Sequence, residues 1–181
     1  MHKDISRILF TKEEIASRVA EMGKAITNDY KNEQDGVVLI TILRGGAIFM
    51  ADLAREIKLP CEMDYMAVSS YGSGVKSSGV VRILKDLSSP IEGKNVLIVE
   101  DIIDSGLTLT YLAKNLKARH PKSINIATLI HKQTQSQTPV NCKYIGFDAP
   151  NEFIVGYGLD YSERYRNLPY IGILKKEVYT Q

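Results

Sequence analysis

Apolar positions near the start of the chain recur with a helical period, and further on they form continuous runs. Thr11 followed by Glu14 fits a capping box, Phe10 and Ile15 fall at the flanking staple positions, and Ile15, Val19, Met22 and Ile26 repeat at helical spacing. This predicts a helix packed on a core. After Gly36 the run VVLITIL is apolar at every position but Thr41, as in a strand buried on both faces. Gly45-Gly46 follows, and Met50, Leu53, Ala54 and Ile57 predict a second helix ending before Pro60. Residues 61–68 and 80–84 read as strands. Residues 95–99 form another buried strand, ending in Glu100-Asp101. Leu109, Leu112, Ala113 and Leu116 mark a helix over about 106–119, and residues 124–130 give a third apolar strand. Shorter strand candidates lie at 144–147, 153–155 and 170–174. Strands alternating with helices predict an α/β fold with a mostly parallel central sheet flanked by helices. Such sheets bind ligands at the carboxyl ends of their strands.

Composition narrows the class. A length of 181 residues suggests one domain, large enough for a core without staples. Lys and Arg number 23 against 21 Asp and Glu, too balanced for a dedicated nucleic-acid or membrane-surface protein. Cys61 and Cys142 form no CxxC pair, and His2, His120 and His131 share no metal-ligand spacing. The N-terminus carries charge instead of a signal-peptide apolar stretch, so a cytoplasmic protein is the expectation. Between Ser69 and Gly79, eight of eleven residues are Ser or Gly, which predicts a flexible loop inside the domain.

The stretch VLIVEDIIDSGLTLT carries the chemistry. A buried strand delivers Glu100 and Asp101 at its carboxyl end, Asp104 follows after two apolar residues, and Ser105, Gly106 and Thr108 open a helix. A helix N-terminus with a glycine and hydroxyl side chains is a phosphate cradle. Carboxylates accept hydrogen bonds from sugar hydroxyls and hold Mg²⁺. A ribose 5-phosphate with a neighbouring metal ion satisfies both demands. Neither a Walker GxxxxGK[ST] run nor a GxGxxG after the first strand is present.

This run resembles the phosphoribosyl-pyrophosphate (PRPP) signature of the type I phosphoribosyltransferases. LRGG at 43–46, SSYGSG at 69–74, Lys132, and FIVGYGLDYSERYRNLPYIG at 153–172 occur in family order, similar to the hypoxanthine-guanine branch. The resemblance spans nearly the whole chain. It implies the type I fold: a core over about 36–140, a small hood from about 1–12 and 141–181, and a lid loop at 69–80. It also implies transfer of phosphoribosyl from PRPP to hypoxanthine or guanine, giving IMP or GMP and pyrophosphate, with Mg²⁺.

Residue by residue, the resemblance assigns Glu100 and Asp101 to the ribose hydroxyls and Mg²⁺, and Asp104 to acid/base work at purine N7. Ser105, Gly106, Leu107 (through its main chain) and Thr108 would take the 5-phosphate. Arg44, Gly45, Arg166, and Ser70 and Tyr71 of the lid would bind pyrophosphate, next to a non-proline cis peptide between Leu43 and Arg44. Lys132 would meet purine O6, because an ammonium donates and cannot accept, which disfavours the 6-amino group of adenine. Phe153 would stack on the purine, Ile154 would line its pocket, and Asp160 would serve the base site and a second Mg²⁺. A homodimer or homotetramer is implied, with no nucleic acid and no membrane as partner. His131 and the uncharged stretch 133–138 depart from the family pattern. Rival readings are an adenine- or xanthine-preferring relative, which Lys132 opposes for adenine, and a nucleotide-sensing regulator, for which the chain has neither an added domain nor an evident basic patch.

Overall fold

The computed structural model describes residues 1–70, 81–132 and 140–180, Ser70 and Val81 by their backbone alone. The expected lid segment 71–80, including Tyr71, and the polar stretch 133–138 lie outside the described residues. The elements are β1 (Ile5–Phe10), α1 (Lys12–Tyr30), β2 (Val37–Ile42), α2 (Ala47–Glu56), β3 (Cys61–Ser70), β4 (Val81–Lys85), β5 (Asn95–Ile103), α3 (Leu107–Lys117), β6 (Ser123–Lys132), β7 (Tyr144–Ala149), β8 (Ile154–Val155), β9 (Ile171–Leu174) and α4 (Lys176–Tyr179).

A six-stranded sheet runs in the order β4-β3-β2-β5-β6-β7. Strands β3, β2, β5, β6 and β7 are mutually parallel, and β4 pairs antiparallel with β3. Its central strands are apolar over Val37–Ile40 and Val96–Val99 because both faces are covered there. Val37 and Leu39 of β2, with Leu97 and Val99 of β5, join the core under α1 and α2. Their neighbours Val38, Ile40, Val96 and Ile98 join the core under α3. The alternation follows from the two-residue period of the strand, and each such side chain contributes about 1.5–3 kcal/mol by leaving water.

Helix α1 begins as its sequence predicts. Thr11 accepts from the Glu14 amide at 3.2 Å, and the Glu14 carboxylate accepts from the Thr11 amide at 2.8 Å. Its buried face is Ile15, Val19, Met22, Gly23, Ile26 and Tyr30. Gly23 lets α1 cross α2 closely, since a Cβ there would lie 2.4 Å from Cβ of Glu56.

A second, antiparallel sheet in the order β1-β9-β8 joins the chain's two ends over a small core of Ile5, Val155, Tyr165 and Leu174. Three expectations need correction. Strand β5 does not stop at Val99 but runs through Glu100 and Asp101 to Ile103, which pairs with His131. Lys132 is not beyond its strand but is the last residue of β6, opposite Ala149. The segment after 141 does not pass at once into the hood, because β7 pairs with β6 in the large sheet and moves that boundary past Ala149. In β5 and β6 the backbone ladder continues where the apolar run ends. Among the described residues no helix is long and apolar enough to cross a membrane.

Candidate active site

Parallel pairing brings the carboxyl ends of β2, β5 and β6 to one edge of the sheet. Two loops start there. After β2, Leu43 and Arg44 are joined by a cis peptide bond and lead through Gly45 and Gly46 into α2. After β5, Asp104 and Ser105 lead to Gly106, the N-cap of α3, at φ +74°. That conformation suits glycine. No side chain caps this helix, so neither Asp104 nor Ser105 is used as a helix cap.

Two adjoining cavities open at this edge. One, of about 190 Å³, is lined by Ile42, Glu100, Asp104, Ser105, Gly106 and Thr108 among others. The other, of about 440 Å³, shares Ile42, Glu100, Ile102 and Asp104 and adds Leu43, Gly45, Asp101, Lys132, Phe153, Ile154, Leu159, Asp160 and Arg166.

The electrostatics of the pair at the end of β5 are uncomfortable. Burial and the neighbouring Asp101 charge raise the Glu100 carboxyl well above the usual range. Its Oε1 is buried without a hydrogen-bond partner. Burial likewise pushes Asp101 up to about 6, against the pull of the Ile102 amide and the Arg166 charge. Gly45 packs directly on this carboxylate, since a Cβ there would fall 1.9 Å from Asp101 Oδ2. Across the cleft, Lys132 Nζ lies 4.0 Å from Asp104 Oδ2, with the lysine side chain 14% exposed and the aspartate 56%.

The opposite wall comes from the segment between β8 and β9. Arg166 pairs with Asp160 Oδ1 at 2.9 Å and donates to the Gly158 carbonyl at 2.8 Å. Gly158 in turn sits against the first loop, because a Cβ there would be 2.2 Å from the Gly45 carbonyl oxygen. Phe153 stacks on Tyr179 with ring centroids 5.0 Å apart, and Tyr161 meets it edge-on at 5.5 Å.

The fold has known counterparts. The sequence profile of the "phosphoribosyl transferase domain" matches residues 7–162. The chain belongs to the phosphoribosyltransferase family. It is 54% identical to the hypoxanthine-guanine phosphoribosyltransferase of Mycobacterium avium, over 98% of this chain and 90% of that one. It is 48% identical to the enzyme of the same name from Streptococcus thermophilus, over 100% and 99%. A crystal structure of a Staphylococcus aureus hypoxanthine phosphoribosyltransferase superposes with a TM-score of 0.95 at 46% identity, covering 100% of this chain and 97% of that one. The two-sheet architecture is therefore the type I phosphoribosyltransferase fold.

Most candidate residues of the family pattern meet in the two cavities. Glu100, Asp101, Asp104, Gly45, Lys132, Phe153, Ile154, Asp160 and Arg166 line the larger, and Ser105, Gly106 and Thr108 the smaller. Leu107 occupies the first turn of α3 with its side chain exposed. Arg44 lines neither cavity; it is 69% exposed and bonded to Glu163 at 2.6 Å. The Ser70 backbone ends β3 opposite Val81. Sequence reasoning missed Glu163, Leu159 and Tyr179. The DYSERYR stretch draws attention to the Glu163 neighbourhood, but nothing in its spacing shows that the carboxylate reaches Arg44. Thr41 shows in the sequence only as a break in an apolar run. Its buried hydroxyl lacks a hydrogen-bond partner and lies where a Cβ on Gly46 would approach to 2.1 Å.

Proposed function

We propose that the protein transfers the 5-phosphoribosyl group of PRPP to N9 of hypoxanthine or guanine, releasing pyrophosphate and giving IMP or GMP in purine salvage. One observation carries the reading. Asp104 and Lys132, from neighbouring strand ends, face each other at 4.0 Å beside the uncapped N-terminus of α3. An acidic group and a cation so spaced match the N7–H and O6 edge of a 6-oxopurine. Adenine offers a donor where Lys132 offers only donors, and the mismatch is penalised strongly.

In this reading Ser105, Gly106, Thr108 and the Leu107 amide hold the 5-phosphate, where the helix dipole favours negative charge. Glu100 and Asp101 take the ribose hydroxyls. Phe153 and Ile154 bind the base plane, and Arg44, Gly45 and Arg166 the pyrophosphate, with Ser70 and Tyr71 completing that shell. The N9–C1 bond forms as the C1–O bond to pyrophosphate breaks, and Asp104 accepts the N7 proton. Such acid–base assistance contributes about 10²–10⁴-fold. Guanidinium groups stabilise the charge gathering on the leaving pyrophosphate, about 3 kcal/mol for a well-placed donor.

The carboxylate pair also suits Mg²⁺. The donors are hard oxygens, Glu100 Oε1 has no other partner, and a cation would offset the burial that raises both carboxyls and the Asp101 charge that adds to it at Glu100. Glu100 and Asp101 would hold this ion and Asp160 a second, and the bound metal supplies charge neutralisation to the leaving group. The assembly expected is a cytoplasmic homodimer or homotetramer, checked by sedimentation.

The test is pyrophosphate release with PRPP and Mg²⁺ against hypoxanthine, guanine, xanthine, adenine and uracil. Turnover of hypoxanthine and guanine without adenine supports the proposal. Binding of PRPP without turnover of any base would leave a sensor instead of an enzyme.

A further inference from the structure

Glu163 bridges the two arginines assigned to pyrophosphate. Its Oε2 accepts from Arg44 Nη1 at 2.6 Å and lies 3.4 Å from Arg166 Nη2. The backbone aims it there. Tyr161 and Arg164 close a tight turn through paired hydrogen bonds of 3.2 and 3.0 Å, and Ser162 and Glu163 within it adopt φ of +50° and +61°. The Glu163 amide also donates to Asp160 Oδ2 at 3.0 Å.

The two arginines differ in what else holds them. Besides Glu163, Arg166 has Asp160 at 2.9 Å and the Gly158 carbonyl at 2.8 Å. Arg44 is 69% exposed, and the ion pair found for it is with Glu163, itself 61% exposed. An exposed carboxylate held by two guanidinium groups occupies the kind of site that a phosphate oxygen would take.

We propose that Glu163 is an internal stand-in for pyrophosphate: it collects Arg44 and Arg166 in the ligand-free site and is exchanged for the pyrophosphoryl group of PRPP. This rests on the assignment of Arg44 and Arg166 made above. Pyrophosphate carries more charge and more acceptor oxygens than one carboxylate, so it wins the exchange. Once it is bound, the Glu163 charge is repelled and turns to solvent. Glu163 thereby weakens binding of PRPP and hastens loss of product pyrophosphate. It is a positioning residue, with no contact to the reacting atoms.

The test is Glu163→Gln, which keeps the shape and removes the charge. Pyrophosphate binding is measured by calorimetry with Mg²⁺, alongside KM for PRPP and for hypoxanthine, and a thermal melt confirms the fold. The expected result is about threefold tighter pyrophosphate and about threefold lower KM for PRPP, as for loss of one exposed competing ion pair, with KM for hypoxanthine unchanged. In the Arg44→Gln background the gain should shrink. Wild-type protein that binds pyrophosphate while Glu163→Gln binds it equally or more weakly overturns the stand-in alone. Wild-type protein that binds no pyrophosphate overturns the arginine assignment and the stand-in with it.

Discussion

Replacing Gly158 with alanine would place a methyl carbon 2.2 Å from the carbonyl oxygen of Gly45. Two costs can be separated. The first is conformational: φ at Gly158 is +101°, a region that costs an L residue about 1–3 kcal/mol. The second is steric. Cβ atoms do not approach closer than 3.0 Å, so the two backbones must part by the difference between 3.0 and 2.2 Å, some 0.8 Å. Neither partner is the tip of a flexible side chain. The movement therefore separates the Leu43–Gly46 loop, which packs on Asp101, from the segment carrying Asp160 and Arg166. A misplacement of about 1 Å between groups that position a reactant costs roughly 10²-fold in rate. Gly158→Ala should accordingly lower kcat/KM for PRPP by about 10²-fold. Gly93→Ala isolates the first cost, because Gly93 has φ +70° with nothing within 4 Å of its would-be Cβ. It lies just before β5, away from the strand ends that form the site. That variant should lose about 1–2 kcal/mol and roughly 2–8 °C in Tm, with unchanged kinetics. The assay is steady-state pyrophosphate release for both variants, paired with thermal melts. Gly158→Ala with kcat/KM within threefold of wild type and an intact fold would refute the close-packing argument.

Four further outcomes follow from the site. Asp104→Asn should lower kcat by about 10²–10⁴-fold while KM for PRPP moves little, as single-turnover and steady-state kinetics would show. Lys132→Gln should lower kcat/KM for hypoxanthine by at least about 10²-fold and narrow its lead over adenine, read from competing-base assays. For Asp101, the folded carboxyl titrates at about 6 against an ordinary value of 3.8, so the folded state binds more protons between those values and stability falls as pH rises from about 4 through about 6. Asp101→Asn should therefore be more stable than wild type above pH 6, by an order of 1–3 kcal/mol, and lose that advantage near pH 4, measured by urea unfolding without ligand. Because ribose hydroxyls and Mg²⁺ call for ionised carboxylates, PRPP·Mg binding should also strengthen as pH rises through about 6, with proton release detectable by calorimetry in buffers of different ionisation heat.

The apolar pattern displays what depends on local periodicity. Ile15, Val19, Met22 and Ile26 mark the buried face of α1, and VVLITI marks β2, because each element must hide its side chains from water. Strand ends are a different matter. Glu100 and Asp101 end an apolar run, yet β5 continues through them because its backbone still pairs with β6, and hydrogen-bond ladders are indifferent to side-chain polarity. The same reasoning accounts for Lys132 inside β6. Strand β1 buries only Ile5 fully and so shows no clean alternation, the one-turn α4 is too short for a period, and β1 is held by a partner at the far end of the chain, as in the pairing of Ile5 with Leu174.

The candidate site divides along the same line. Glu100, Asp101, Asp104, Ser105, Gly106 and Thr108 are legible because they fall within one strand–loop–helix unit, where chain order is nearly spatial order. Arg44, Gly45, Gly158, Glu163 and Arg166 come from segments more than a hundred residues apart, and their relation is made by contact of two backbones at Gly45 and Gly158. A glycine in a sequence announces freedom or closeness without saying which. At Gly158 it is both: the positive φ excludes other residues conformationally, and the Gly45 carbonyl excludes them sterically. Closeness there is what brings Glu163 within reach of Arg44. The charge relation between those two residues is thus a consequence of packing between glycines, and a perturbation at Gly158 should loosen the Arg44–Glu163 pair as well as slow the reaction.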